Sequence, residues 1–200
     1  LSYFGHLPLF LIGFWQGPKR LLVAAIAACS ALVLLGGLLP FTVFMVVFAG
    51  PAMLLTRMAL VIRKDENGKP GFVPTGILVS AMAVMIAMVM IIITGSVTAE
   101  GLDIQEFISQ FLGQMYSEMG VPMTPEVQNV IGMFQTYFPA IVAVSWLLML
   151  FANAAIAQAI LVRSGRNLRP SPDLASMALP GWSLFAFALA GFLVGFADGS

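Results

Sequence analysis

The sequence predicts an all-α, polytopic transmembrane helix bundle, and three observations carry that reading. Of 200 residues, 60% are hydrophobic and 9% charged, where an ordinary soluble domain carries about 25% charged residues. Apolar stretches long enough to cross a bilayer recur along the chain. The basic residues gather in three places between or beside those stretches. Nine acidic and nine basic side chains cannot cover a globule of this size in water, so its excess apolar surface requires lipid.

A hydrocarbon core about 30 Å thick takes roughly 20 apolar helical residues to cross. Five stretches meet or approach that length: residues 21–38, 41–62, 72–95, 138–162 and 179–197. A sixth, residues 1–15, is too short to cross alone and reads as a partial first span, either the tail of a cut helix or a re-entrant piece. Pro18, Pro40, Pro74, Pro139 and Pro180 mark the openings of the five longer stretches. A missing N–H costs nothing in the first turn of a helix, and a fixed φ helps there. The run 82–93 does not alternate in polarity, as a membrane barrel strand of about ten residues does. The chain lacks an initiator methionine and ends just after an apolar stretch. It is therefore expected to be a single integral membrane domain, 1–200, truncated at both ends.

The basic clusters are Lys19 and Arg20; Arg57, Arg63, Lys64 and Lys69; and Arg163, Arg166 and Arg169. They fall at the first, third and fifth connections, all on one side of the membrane. The second connection, near Leu39-Pro40, is uncharged, and the fourth carries Glu100, Asp103, Glu106, Glu118 and Glu126 with no base. Lys/Arg excess marks the cytoplasmic side. The basic loops are thus expected in the cytoplasm and the acidic connection outside, in a multi-pass protein of a bacterial inner membrane. Trp15 and Trp182 then lie at the inner interface and Tyr137 at the outer one, as an aromatic belt requires.

The fourth connection, 99–137, reads as an extracytoplasmic amphipathic helical insert. Ile104, Phe107, Ile108, Phe111, Leu112, Met115 and Met119 recur at helical spacing. A second helix opens at Thr124-Pro125-Glu126, with a hydroxyl cap, a first-turn proline and an acid at the positive end of the dipole. Its apolar stripe is Val127, Val130, Ile131 and Phe134. Such a hairpin either rests on the bundle or lipid interface or forms a lid over an outward-facing pocket.

Little in the chain carries chemistry. Asn153 and Gln158 are the only amides well inside a span. Asn153 shares a helix face with Trp146, while Gln158 lies about 140° round the helix from Asn153. Amides in hydrocarbon serve either as interhelical glue or as functional groups. On the second reading Asn153, Trp146 and Gln158 are candidate ligand-binding residues. Gly50-Pro51 sits mid-segment, and a proline there frees the carbonyl of Val47 and predicts a helix kink. Interrupted helices line substrate sites in transporters, yet inert bundles tolerate proline kinks too. Arg57 reads as a snorkelling side chain. Small-residue pairs such as Ala24/Ala28 and Ala155/Ala159 allow close helix contact.

Cys29 has no second cysteine to pair with, and His6 has no second histidine or nearby acid. No nucleotide loop, nucleophile elbow or intramembrane carboxylate pair is present. The sequence therefore predicts no enzyme, no metal site and no cofactor. Zero net charge exerts no bulk attraction on nucleic acid, and the expected partner is the lipid bilayer.

The loop Arg163-Ser-Gly-Arg-Asn-Leu-Arg-Pro-Ser-Pro-Asp-Leu174 is followed by Leu179-Pro180-Gly181-Trp182. Together with Leu7-Pro8-Leu9-Phe10, Gly50-Pro51-Ala52, Ser145-Trp146-Leu147 and Asn153, it resembles the YybS-like family of bacterial membrane proteins (domain of unknown function 2232), in its alphaproteobacterial form. The resemblance runs across essentially the whole chain. One departure is Gly181, where the family usually has a basic residue between the proline and the tryptophan. The resemblance implies a distant relationship to the substrate-capture subunits of energy-coupling-factor transporters. By that implication the chain takes a small molecule from the outer side and relies on a membrane partner, such as a coupling ATPase module, for energy. The alternative is a non-transporting envelope scaffold that works through its basic loops.

Overall fold

The computed structural model describes residues 2–64, 68, 70–99, 104–171, 177–183 and 185–186. After a single 3-10 turn at Ser2–Phe4 come α1 (Leu7–Gln16), α2 (Pro18–Gly36) and α3 (Leu38–Val43). A π-helical stretch, Phe44–Ala49, joins α3 to α4 (Gly50–Ala59). Strands β1 (Ile62–Lys64) and β2 (Pro70–Phe72) precede α5 (Thr75–Ala99), α6 (Ile104–Glu118) and α7 (Pro125–Arg163).

Among the described residues, four helical stretches are long and apolar enough to cross a membrane: Pro18–Gly36, Leu38–Ala59, Thr75–Gly95 and Tyr137–Arg163. Only 17 to 28% of each apolar window is buried within the protein. Leu34, Leu35, Ile91 and Leu148 are among the large side chains that point outward. In water this much apolar helix surface would drive association, and in lipid it needs no cover. The chain is thus a mostly helical, multi-pass membrane protein. The expected fifth span, 179–197, falls mostly outside the described residues; of those described in it, Gly181–Ser183 and residues 185–186 are helical.

Proline placement explains most of the boundaries. Pro18 is the first residue of α2 and Pro40 lies in the first turn of α3. The Pro74 carbonyl accepts from the Ile77 and Leu78 N–H groups at 3.1 and 3.3 Å, and the Pro180 carbonyl from Ser183 N–H at 2.9 Å. Gly17 and Gly37 break the chain before α2 and α3 with φ of 86° and 81°, values that favour glycine because a Cβ would clash.

Pro139 departs from the pattern. It does not open a helix but lies inside α7, which runs unbroken for 39 residues. No glycine–proline or other turn signal interrupts the chain between Pro125 and Pro139, so the helix capped at Thr124 continues through it. The missing N–H leaves the Gln135 carbonyl without its helical donor. At 1.5 Å per residue α7 is about 58 Å long, nearly twice the hydrocarbon thickness of about 30 Å. The insert's second helix and the following span are therefore one element.

A second departure is the antiparallel ribbon, Ile62↔Phe72, Arg63↔Gly71 and Lys64↔Pro70, in a chain expected to be all-α. Asn67-Gly68 in the connection is a hairpin signal, and Gly68 has φ 75°.

The chain divides into two compact units, one of residues 1–84 and 149–200, the other of residues 85–148. Both boundaries fall inside helices, α5 and α7. In the first unit α1 packs against α2 and α4. Leu21, Ala25 and Cys29 recur every fourth residue as the buried stripe of α2, one position round from the Ala24/Ala28 pair. One close approach is at Gly13 of α1, where a Cβ would collide with the hydroxyl of buried Thr56 and come within 2.8 Å of its methyl. Gly76, at the start of α5, likewise leaves no room for a Cβ against the Ala178 backbone.

In the second unit α6 lies beside the first part of α7, where Gln135 Nε2 donates to the Gln105 carbonyl at 2.7 Å. Ile108 and Ile131 are buried, whereas Phe111, Met119 and Met133 of the same hairpin are about 60% exposed. The unit thus leaves part of its amphipathic apolar face open. The α7 cap forms as expected, with Val127 N–H donating to Thr124 Oγ1 at 3.4 Å. Hydrogen bonds from the Thr124 side chain and then from the Glu126 backbone N–H hold the Glu126 carboxyl below its usual range.

Two outcomes follow from this packing. Gly13→Ala is expected to cost about 1–3 kcal/mol by overpacking, and Thr56→Ala in the same chain is expected to recover most of it, because the two changes share one contact. Denaturant unfolding in detergent reads both. Glu126 titrates below the ordinary glutamate value of about 4.3, so its contribution to the cap is full above that value and is lost as pH falls through the lowered one. Carbonyl-carbon NMR should show the Glu126 midpoint rise in Thr124→Ala.

Candidate functional site

Proline has no N–H to offer the carbonyl four residues back, so Pro51 strands the oxygen of Val47 near the middle of the Leu38–Ala59 span. The expected response was a kink. The structure shows a local change of pitch there, the π-helical turn Phe44–Ala49, with Gly50 N–H donating to the Met45 carbonyl. A Cβ on Gly50 would lie 2.9 Å from that same oxygen, so the pitch change requires glycine.

The stranded Val47 oxygen is taken by His6, whose Nε2 lies 2.7 Å from it. A carbonyl can only accept, so Nε2 carries the proton. His6 is fully buried, its ring stacked on Phe48 at 4.7 Å and on Phe10 at 6.2 Å between centroids. The other ring nitrogen, Nδ1, has no hydrogen-bond partner. Sequence reasoning set His6 aside because it lacked a second ligand or acid. The signal that could have found it is the carbonyl freed by Pro51, which needs a donor from another segment.

Asn153 of α7 reaches the same N-terminal segment. Its Nδ2 donates to the Tyr3 carbonyl at 2.7 Å and to its own helix at Met149 O, 2.8 Å. Its Oδ1 is buried and unpartnered. Val47 lies 12 residues from Ala59 and Asn153 lies 10 from Arg163, about 18 and 15 Å along their helices. His6 and Asn153 therefore bring two unused acceptor atoms to comparable depth in the first unit. Each acceptor is costly to bury unpaired, by about 1–3 kcal/mol.

Trp146, Gln158 and the basic residues complete the expected set. Trp146 is buried with its Nε1 unpartnered, but belongs to the second unit. Gln158 donates through Nε2 to the Arg169 carbonyl at 2.6 Å, where it serves as glue for the loop after α7. In that loop Asn167 Nδ2 also donates to Arg169 O, at 2.7 Å. The Arg169 guanidinium donates to the carbonyls of Ala59 at 3.2 Å and Val73 at 2.9 Å and lies over the Phe72 ring. Burial pulls its pKa below the usual arginine value. Arg169 is thus a structural tie among α4, β2 and the loop. Lys19, Arg20, Arg57, Arg63, Lys64, Arg163 and Arg166 are exposed. Among the described residues no group of three or more His, Cys, Asp or Glu side chains could hold a metal ion.

His6→Leu is expected to destabilise the fold by about 1–3 kcal/mol, because Val47 O loses its donor. In a Pro51→Ala background, where residue 51 regains an N–H, the same change should cost less. Thermal unfolding of the four proteins in detergent measures that coupling.

The family model described as "Predicted membrane protein (DUF2232)" matches residues 4–200. No curated protein and no solved structure matches the chain.

Proposed function

We propose, for a chain that belongs to the DUF2232 family of predicted membrane proteins, that it is a substrate-capture transport subunit of the bacterial inner membrane and not an enzyme. It takes a small polar solute at the level of His6 and Asn153. The observation that carries this reading is the pair of acceptors, His6 Nδ1 and Asn153 Oδ1, both buried near the middle of the bundle and both without a partner. A solute with N–H or O–H donors supplies what they lack, and an intramembrane polar group is a functional site by default. The partner on this reading is a coupling ATPase, by the distant relationship to energy-coupling-factor capture subunits that the sequence resemblance implies. A non-transporting envelope scaffold is the second reading, favoured by the exposed cations of the first unit, among whose described residues there is no acid.

Mass spectrometry of the full-length protein purified from its own membrane distinguishes the two. A stoichiometric polar solute and a co-purifying ATPase are expected. Asn153→Ala should lower solute occupancy about tenfold, the equivalent of one hydrogen bond, while Thr56→Ala should leave it unchanged. Wall-synthesis or division proteins with no solute would establish the scaffold instead.

A further inference from the structure

We propose that the elbow between α1 and α2 seats the phosphate of an anionic phospholipid. The elbow is built from two directions. Gly17, with φ 86°, turns the chain from Trp15 at the end of α1 to Lys19 and Arg20 at the start of α2. The loop after α7 folds over this turn, where Leu168 N–H donates to the Phe14 carbonyl at 3.2 Å. The Leu168 side chain lies 3.9 Å from the position of a Cβ on Gly17. These contacts set Arg166 at the elbow, its guanidinium 5.0 Å from the centre of the Trp15 ring.

Three cations are thus brought to one turn, and all three are exposed. Among the described residues no acid answers them: Glu106, Glu118 and Glu126 belong to the second unit. A cation stacked on tryptophan keeps its outward N–H groups free, and guanidinium is matched to phosphate oxygens. The charge favours a phosphodiester, and the surface beyond it identifies a lipid rather than a soluble phosphate. Trp15 is 41% exposed, and directly past Arg20 the outward face of α2 presents Val23 at 65% and Ile26 at 57%. Acyl chains attached to a phosphate at the elbow lie along that face. Basic connections face the cytoplasm, whose leaflet is anionic.

The test uses full-length protein in nanodiscs of mixed phosphatidylglycerol and phosphatidylcholine, with retained lipid counted by native mass spectrometry after extraction. Phosphatidylglycerol is expected to be enriched, and each of Lys19→Gln, Arg20→Gln and Arg166→Gln should lower the enrichment about fivefold. The combined variant Arg57→Gln, Arg63→Gln, Lys64→Gln removes three exposed cations elsewhere on the same unit, and should change it by less than about twofold if binding is local to the elbow. An equal loss in that control would overturn the site in favour of bulk attraction. Displacement of the lipid by millimolar glycerol phosphate would overturn the lipid as occupant. Unchanged unfolding temperatures of the single variants tie any loss to the elbow and not to the fold.

Discussion

Inside hydrocarbon a backbone carbonyl without an N–H partner has no water to turn to. The first unit is organised around carbonyls that ordinary helix geometry leaves open. Pro51 strands Val47 O, and His6 answers it. Tyr3 O, in the 3-10 turn before α1, is answered by Asn153. Phe14 O, at the end of α1, is met by Leu168 N–H. Ala59 O, at the end of α4, and Val73 O, before α5, converge on the Arg169 guanidinium. Each donor comes from a segment distant in sequence, so these bonds also hold the unit together.

This arrangement places polar groups at two levels. Near the basic end, Arg169, Gln158 and Asn167 satisfy one another and the surrounding backbone. Deeper in the bundle, His6 and Asn153 satisfy backbone oxygens with one nitrogen each and leave one acceptor each unused. The donors of Arg169, Gln158 and Asn167 at the first level are all met by backbone oxygens and read as structure. The second leaves two acceptors open, and it is there that the proposed solute would add hydrogen bonds. On the outward faces Ser30 and Thr42 return their hydroxyls to their own helices, at Ile26 O and Leu38 O.

Proline shows how far local chemistry reaches. Pro18, Pro40, Pro74 and Pro180 stand where a missing N–H is harmless, and helices begin at or beside each of them. Pro139 is the same residue in a similar apolar setting, yet α7 passes through it. The difference lies upstream: Thr124-Pro125-Glu126 starts a helix already in progress when the chain reaches Pro139. Continuing it loses one bond, to Gln135 O, while stopping would leave several carbonyls open at once.

The sequence by itself determined the lipid-soluble character of the chain, its helical class, the main helix starts and the gathering of its cations, because these depend on residue type and on neighbours within a few positions. It also identified Val47 O as a freed carbonyl and Asn153 as a polar group in a span. Only the tertiary structure decided that His6 meets the first and that Asn153 reaches Tyr3, that Gln158 binds a loop, and that Arg169 ties three segments. Those pairings join residues separated by 41, 150, 11 and up to 110 positions. Hydropathy and spacing carry no record of which distant backbone oxygen a donor will face, since packing sets that choice.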